Sequence, residues 1–310
     1  MGNKPKIYVD GKDGTTGLQI YEHLGARDDI ELLLIADEVR KDTAERRRLI
    51  NAADIVFLCL PDDAAREAVT LVENDTTRII DASTAHRTSP AWDYGFPELS
   101  AERRRAIAKS KRVANPGCHA TGFVASVYPL VQLGILPADY PLTCFSLTGY
   151  SGGGKKMIAD YEGENASSFA TPGIYGVTQN HKHLPEMTAI PSLVREPVFC
   201  PIVDDYYAGM ATTITLHSDL LAKPMSAESI RAALADYYGD ARFVKVAAEL
   251  ACATMYTNFG VGTNDLLITV GGNEHRVTIT SQFDNLGKGA SGAAVQNMNI
   301  MLGVSEDTGL

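Results

Sequence analysis

The sequence lacks the features that mark zinc proteins, disulfide-rich secreted proteins and membrane proteins. It has five cysteines, at Cys59, Cys118, Cys144, Cys200 and Cys252. They are widely spaced and form no Cys-x-x-Cys pair, which argues against a zinc site and a disulfide framework. No apolar run approaches the ~20 residues that span a bilayer, and the polar start of the chain shows no apolar signal segment. We therefore expect a cytoplasmic protein with reduced thiols, no metal and no membrane partner.

Positive charge is also scarce, with Lys+Arg 28 against Asp+Glu 38 and a net charge of -10. An acidic surface disfavours non-specific nucleic-acid binding but leaves room for a small basic pocket. The hydrophobic share of 45% and the charged share of 21% are ordinary for a globular protein, and 310 residues favour two domains.

Apolar strands and amphipathic helices alternate through the first part of the chain. Strands are predicted at 7–10, 31–36, 54–60, 78–81 and 111–114, with helices at 18–24, 41–51 and 62–73. This alternation predicts an α/β fold with a Rossmann-type doubly wound parallel sheet. Ligands of such sheets bind beyond the carboxyl ends of the strands.

A glycine loop follows the first predicted strand, with Gly11, Gly14 and Gly17 leading into a helix. Strand, glycine loop and helix together place a phosphate at a helix N-terminus. The spacing is GxxGxxG instead of GxGxxG, and it puts the charged Asp13 inside the loop, so a tight structural turn is the alternative interpretation.

The pattern changes after Leu133, where strands at 142–150, 211–217, 263–270 and 275–283 and a helix at 227–237 predict a second, α+β domain. The small residues of 287–302 predict a helix that packs back onto the first domain. We expect a dinucleotide-binding domain at 1–117, completed by a C-terminal helix at 285–310. A catalytic and dimerisation domain with a mixed or antiparallel sheet is expected at 118–284.

Cys118 lies in the segment Asn115–Gly122, between a strand and a helix predicted from Gly122 to Leu133. Unpaired N–H groups and the dipole at a helix start favour a thiolate, which is the nucleophilic form. The Cys118 loop is expected on the same sheet edge as the glycine loop. A buried structural cysteine is the competing interpretation.

Three other clusters carry chemistry. His181 and His183 are expected to point to opposite sides of an extended segment, one facing a pocket and acting as an acid or base; a surface loop pair is the alternative. His119 is expected to be directed away from the nucleophile.

The segment Asp81–Arg87 offers hydroxyls and a guanidinium to a phosphate, or forms a capped turn. Gly152–Lys156 is predicted to be a flexible turn with anion-binding capacity.

Together these segments resemble the N-acetyl-γ-glutamyl-phosphate reductases, in their shorter form. The resemblance runs from Lys6 to about Gly303 and is most specific at 115–121, 181–186 and 288–299. The last segment also resembles aspartate-semialdehyde dehydrogenase, which is the alternative enzyme. A non-catalytic Rossmann binding module is the remote alternative.

The resemblance implies NADPH-dependent reduction of N-acetylglutamyl 5-phosphate to the 5-semialdehyde through a thioester on Cys118, in arginine biosynthesis. His181 or His183 would handle the protons, with His183 preferred. The substrate would contact Arg87, Ser83, Asn115, Ser151 and Lys155. The cofactor would contact Gly11, Gly14, Thr15, Thr16, Gly17, Arg40, Lys41, Asn285 and Lys288.

Two properties stay open at this stage. Asp37, after the second strand, suits a ribose 2′-hydroxyl and hence NAD, whereas Arg40 and Lys41 suit a 2′-phosphate and hence NADP. The resemblance favours NADP. It also implies a homo-oligomer, a dimer or a tetramer, with the second domain's sheet as the expected interface.

Overall fold

A computed structural model describes residues 4–12, 14–250 and 253–310. Asp13 and Cys252, named above, lie outside the described residues. The chain divides into two compact units, one formed by Met1–Pro116 with Ala290–Leu310 and the other by Gly117–Gly289. No helix among the described residues is long and apolar enough to cross a membrane.

The first unit is built on a parallel sheet of short strands. These strands are β1 (Lys6–Asp10), β2 (Glu31–Leu33), β3 (Ile55–Leu58), β4 (Arg78–Asp81), β5 (Asp93–Tyr94) and β6 (Arg112–Ala114). Their order across the sheet is β2-β1-β3-β4-β6-β5, and every neighbouring pair is parallel. The predicted doubly wound parallel sheet is confirmed.

Helices cover both faces of this sheet. They are α1 (Thr15–Gly25), α2 (Thr43–Ala52), α3 (Asp62–Thr70), α4 (Ala101–Lys109) and, at the end of the chain, α9 (Gly292–Leu302). Ile7 and Val9 of β1 pack with residues of α1 and α9, while Tyr8 packs on the opposite face with residues of α2 and α3. Because side chains alternate between the two faces of β1, this strand contributes to two separate hydrophobic cores.

The second unit holds a mixed sheet in the order β11-β12-β13-β10-β7-β9-β8. Its strands are β7 (Thr143–Gly149), β8 (Gly173–Ile174), β9 (Val198–Asp204), β10 (Met210–His217), β11 (Val244–Val246), β12 (Leu266–Gly272) and β13 (Arg276–Phe283). The pairs β7–β9 and β11–β12 are parallel and the other pairs are antiparallel. This agrees with the predicted mixed sheet.

The helices of the second unit are α5 (Cys118–Gln132), α6 (Gly154–Glu162), α7 (Leu184–Ala189) and α8 (Ala227–Tyr237), and α5 and α8 pack on the sheet. The helix α5 begins at Cys118 itself, four residues before the apolar period that starts at Gly122, which confirms the prediction that Cys118 lies at a helix start. The flexible turn predicted at Gly152–Lys156 is wrong. A 3-10 turn over Tyr150–Gly153 leads into α6, and Gly154 makes the junction with a φ of 71° that other residues rarely adopt.

Candidate active site

Cys118 is the first residue of α5, forms no disulfide and is partly exposed. Gly117 precedes it in an extended conformation with no side-chain cap, so the first N–H groups of the helix have no capping side chain. The Gly117 N–H donates instead to Oε1 of Glu186 over 2.9 Å, and Glu186 is 1% exposed. A buried carboxylate on α7 thus fixes the backbone directly before the thiol.

Two glycines allow close packing around the start of α5. A Cβ on Gly289 would lie 3.0 Å from the Cβ of Cys118, so this backbone lies directly against the cysteine side chain. A Cβ on Gly122 would lie 2.6 Å from the Cβ of Thr212 on β10. The helix therefore lies against the sheet at a distance that only glycine permits.

Three histidine rings cluster in this unit. The rings of His181 and His183 have centroids 4.9 Å apart, and the ring of His119 lies 5.8 Å and 5.7 Å from them. The expectation that His181 and His183 point to opposite sides is wrong, because the segment is not extended. It forms a turn in which His183, with αR dihedrals, caps α7. A turn brings residues two apart together, whereas a strand separates them.

His119 joins this cluster, which sequence reasoning missed. It is 3% exposed, with Nδ1 lying 2.7 Å from Oγ of Ser146 and Nε2 lying 2.6 Å from the Tyr175 hydroxyl. Burial, and then the charges of His181 and Lys182, lower the pKa of His119 to about 3. His119 is therefore neutral at physiological pH.

His181 is also neutral, but it is less buried than His183, which is 4% exposed. Burial, and then Lys182, lower the pKa of His181 to about 4. Its Nδ1 accepts a hydrogen bond from the His183 backbone N–H over 3.2 Å. Because Nδ1 accepts, the single ring proton lies on Nε2, where it is available for donation.

The other predicted residues of this unit differ in burial and in their partners. Ser151 is fully buried and accepts from Nδ2 of Asn285 over 3.0 Å, while Oδ1 of Asn285 accepts from the Gly209 N–H. The side chain of Lys288 is buried, with Nζ 5.7 Å from the Phe243 ring centre. Lys155, by contrast, is exposed on α6.

In the first unit the glycines of the loop allow backbone segments to pack closely against one another. Gly11 has a φ of 92°, and a Cβ there would lie 2.3 Å from the Cys59 carbonyl oxygen. A Cβ on Gly17 would lie 2.4 Å from the Gly11 carbonyl oxygen. Thr15 and Thr16 form the first turn of α1, next to the uncapped N-terminus at Gly14. This loop fits a pyrophosphate approached by backbone N–H groups.

A cavity of ≈ 270 Å³ lies beside the loop. Four basic residues and several apolar residues line it together with Asp10; the lining comprises Asp10, Gly11, Lys12, Ile35, Arg40, Lys41, Arg46, Leu60 and Ala64. The Arg46 guanidinium forms a buried ion pair with Asp10 at 3.0 Å, and Lys12 pairs with the exposed Asp37 at 2.7 Å. Arg40 and Lys41, which also line the cavity, are exposed.

The segment after β4 is held by its own hydrogen bonds. Oγ of Ser83 donates to the Asp81 carboxylate over 2.8 Å and accepts from the Ala85 N–H. Nε of Arg87 donates to the Asn115 carbonyl over 2.9 Å and Nη2 donates to the Ala82 carbonyl. Arg87 is thus buried beside the loop that follows β6.

Asn115 is held from its side chain as well. Its Nδ2 donates to the Ala290 carbonyl over 2.9 Å, and its Oδ1 accepts from Nδ2 of Asn297 on α9. A C-terminal helix therefore fixes the end of β6. Among residues 4–12, 14–250 and 253–310, no cluster of His, Cys, Asp and Glu has the geometry of a metal site.

Sequence comparisons define the class. Residues 118–285 match the semialdehyde dehydrogenase dimerisation domain, and residues 11–107 match the semialdehyde dehydrogenase NAD binding domain. The fold, the glycine loop and the cysteine at a helix start thus define a semialdehyde dehydrogenase, an oxidoreductase with a nicotinamide-dinucleotide domain.

Full-length relatives narrow this class. A Nostoc protein named N-acetyl-gamma-glutamyl-phosphate reductase 2 is 48% identical over 99% of this chain and 100% of its own. Proteins named N-acetyl-gamma-glutamyl-phosphate reductase from Chelativorans sp. and Mesorhizobium japonicum are 49% and 47% identical, over 96% and 97% of this chain. They are covered over 98% and 100% of their own lengths. The chain belongs to the N-acetyl-gamma-glutamyl-phosphate reductase family.

Solved structures of aspartate semialdehyde dehydrogenases share the fold. The Vibrio cholerae enzyme II superposes with a TM-score of 0.74 at 15% identity, over 97% of this chain and 99% of its own. The Francisella tularensis enzyme superposes with a TM-score of 0.73 at 14% identity, over 96% and 100%. Identities this low indicate a common fold and carry no argument about substrate.

Proposed function

We propose that this protein reduces N-acetyl-L-glutamyl 5-phosphate to N-acetyl-L-glutamate 5-semialdehyde and phosphate, in arginine biosynthesis. The observation that carries this proposal is a partly exposed cysteine at the first position of α5, one residue before His119, whose ring clusters with the rings of His181 and His183. The names of relatives that are nearly half identical point to the same substrate. Aspartate semialdehyde dehydrogenase, the alternative, has only fold similarity in its favour.

The chemistry begins with Cys118. Its thiolate attacks the acyl carbon, the C–O bond to phosphate breaks, and a thioester forms while phosphate leaves with the electron pair. A bound nicotinamide cofactor supplies the hydride that reduces the thioester carbonyl. The resulting thiohemiacetal oxyanion on Cys118 then collapses, the C–S bond breaks, and the aldehyde and the thiolate are released.

We assign the proton-bearing role to His181 in preference to His183. His183 is buried and its backbone N–H orders the His181 ring, whereas His181 is partly exposed and carries its proton on Nε2. A neutral imidazole with that tautomer donates a hydrogen bond to an oxyanion or to the leaving phosphate. Replacement of His181 by Asn should therefore slow turnover more than replacement of His183, the reverse of the sequence expectation.

For the substrate phosphate we propose Arg87, whose buried guanidinium also braces the backbone of Asn115. We do not extend this role to Ser83, because its hydroxyl proton is already donated to Asp81. Ser151 stays a predicted contact for the amide end of the substrate, and Lys155 supplies an exposed positive charge to the same unit. The nicotinamide contacts predicted for Asn285 and Lys288 also stay predictions.

We propose NADP as the cofactor, because Arg40 and Lys41 line the cavity next to the glycine loop. Asp37, the residue that would favour NAD, is engaged by Lys12, which lowers the pKa of Asp37. Replacement of Arg40 by Ala should raise the KM for NADP about tenfold and leave the KM for NAD unchanged. Arg47, which lies on α2 and pairs with Glu73, is the matched control.

We propose that two copies pair through the open face of the second unit's sheet. Large apolar side chains are exposed there, among them Phe145 at 42%, Val198 at 54% and Ile174 at 67%. Exposed apolar patches of this kind mark interaction surfaces, and the matching family domain is named for dimerisation. The absence of disulfides at Cys59, Cys118, Cys144 and Cys200 supports a working place in the reducing cytoplasm.

The decisive experiment is the reverse reaction, measured as phosphate-dependent reduction of NADP+ and of NAD+ with each semialdehyde. Activity should be high with N-acetylglutamate 5-semialdehyde and NADP+. A preference for aspartate semialdehyde would overturn the assignment. Cys118→Ser should lose turnover while still binding NADPH, whereas Cys200→Ser, a substitution on β9, should keep activity; an active Cys118→Ser would exclude the thioester.

A further inference from the structure

A chain of buried hydrogen bonds runs from the sheet towards Cys118. Oγ1 of Thr212 on β10 lies 2.8 Å from Oγ of Ser146 on β7, which lies 2.7 Å from Nδ1 of His119. The chain ends where Nε2 of His119 lies 2.6 Å from the Tyr175 hydroxyl. Thr212, Ser146 and His119 are each at most 3% exposed.

The imidazole in the middle of this chain carries one proton. A neutral ring donates from one nitrogen and accepts at the other, so the Ser146 end and the Tyr175 end are coupled through it. Burial keeps the pKa of His119 near 3, which preserves this one-donor, one-acceptor state at neutral pH. The ring is therefore a fixed link and not a base in the reaction.

The Tyr175 hydroxyl ends the chain, beside the ring of His119, which is the residue after Cys118 in α5. Burial, and then the negative charge of Cys118, raise the pKa of Tyr175, so the phenol keeps its proton within electrostatic reach of the thiolate. The backbone of Tyr175 is anchored separately, since its N–H donates to the Pro201 carbonyl over 3.1 Å. Its side chain is then oriented by His119.

We propose that His119 is a positioning residue that holds the Tyr175 hydroxyl as a neutral hydrogen-bond donor for the charge formed at Cys118. The inference rests on the proposed function, in which Cys118 cycles between thiolate and thioester. Tyr175 keeps its proton throughout, so no proton is transferred along the chain. The donor stabilises the thiolate before attack and the oxyanion before collapse.

Two substitutions of His119 separate its two nitrogens. The amide of Gln reaches the position of Nε2 and retains a partner for Tyr175, whereas the amide of Asn reaches only Nδ1 and retains a partner for Ser146. The measurement is the pH dependence of Cys118 alkylation by iodoacetamide in the full-length protein without substrate, followed on the Cys118 peptide by mass spectrometry. This readout reports thiolate formation and is independent of turnover.

We expect Tyr175→Phe and His119→Asn each to raise the alkylation midpoint by about one pH unit, and His119→Gln to leave it within about 0.3 units. Tyr175→Phe should also lower kcat about tenfold at unchanged KM. Equal midpoints for the Asn and Gln variants, or an unshifted midpoint in Tyr175→Phe, would overturn the proposal. If a His119 variant does not fold, Ser146→Ala removes the hydrogen-bond partner of His119 Nδ1 instead. An unshifted alkylation midpoint in Ser146→Ala would also overturn the proposal.

The alkylation experiment tests the His119–Tyr175 link, and the assay with the two semialdehydes tests the proposed function. Either hypothesis can be refuted without the other. A shifted midpoint in a protein that does not act on N-acetylglutamate 5-semialdehyde would remove the proposed function and leave the His119–Tyr175 link in place. An unshifted midpoint in an active reductase would remove only the link.

Discussion

Substitution of Gly17 by Ala, compared with Gly25 by Ala, tests the glycine loop within a single helix. Both glycines belong to α1. A Cβ on Gly17 would lie 2.4 Å from the Gly11 carbonyl oxygen and 3.0 Å from the Cα of Lys12, whereas a Cβ on Gly25 would meet nothing within 4 Å. The two variants therefore add the same methyl group to the same helix, once into backbone and once into open space.

The expected difference in stability follows from comparing these two variants. Gly to Ala inside a helix gains up to about 1 kcal/mol, and this gain is similar for both variants. Separations below 3.0 Å do not occur for real Cβ atoms, so at Gly17 the Gly11 carbonyl must move by several tenths of an ångström. Overpacking of this kind costs about 1–3 kcal/mol. Gly17→Ala should thus be about 1–3 kcal/mol less stable than Gly25→Ala, a gap on the order of 5 °C in Tm.

The assay pairs thermal melting with NADPH binding by fluorescence titration. Gly17→Ala should bind NADPH at least tenfold more weakly, because the displaced backbone can no longer donate to the pyrophosphate. Gly25→Ala should bind like the wild type and melt at the same temperature or slightly higher. Wild-type NADPH affinity in Gly17→Ala, together with an unchanged Tm, would refute the reasoning that this loop holds the dinucleotide.

Three further predictions follow from the second unit. Glu186→Ala should lower stability by about 2–3 kcal/mol and slow Cys118 alkylation, because the Gly117 N–H loses its acceptor, whereas Glu186→Gln should keep most of both properties; urea melts and alkylation rates check this. Phe145→Glu should dissociate the proposed dimer, as judged by analytical ultracentrifugation, and an unchanged mass would exclude that face. Stability should fall as the pH drops from 6.5 towards 4, with a slope of up to about 1.4 kcal/mol per pH unit for each of His119 and His181. The unfolded rings bind protons near pH 6.5 while the folded rings, at about 3 and 4, do not. Urea melts at pH 7 and pH 5 measure the slope, and His119→Gln should remove about half of it.

The first unit was readable from the sequence because each of its signals is local. Buried parallel strands such as Ile55–Leu58 give continuous apolar runs, and the acidic residues Asp62 and Asp63 in the first helical turn mark the start of the next helix. The helix α4 was not predicted, because its nine residues are strongly charged and bury only Ile107. A helix that packs through a single buried side chain has no repeating apolar positions, so hydrophobic periodicity does not reveal it.

The histidine cluster could not be predicted because it depends on a turn and on chain-distant contacts. His181 and His183 meet because the backbone at 182–183 turns into α7, a helix of six residues that is too short for periodicity to reveal. His119 reaches them because α5 begins at Cys118, which places the next residue against β7. The sequence motif points to its neighbour Cys118, the proposed nucleophile, whereas the partners of His119, Ser146 and Tyr175, lie 27 and 56 residues away.

The neutrality of these rings agrees with the demands of the reductive reaction. In the proposed mechanism, a thiolate that attacks an acyl phosphate, and a thiohemiacetal oxyanion that expels the same thiolate, return Cys118 to its starting charge without net proton uptake by the protein. Such a cycle needs donors that stabilise negative charge on sulfur and on oxygen, and it needs no base to regenerate the nucleophile. Burial lowers the pKa of His119 and of His181 well below neutrality, so both rings are uncharged at pH 7. In the proposed mechanism the partly exposed His181 and the Tyr175 hydroxyl act as uncharged donors to the negative charge that forms at Cys118 and on the substrate.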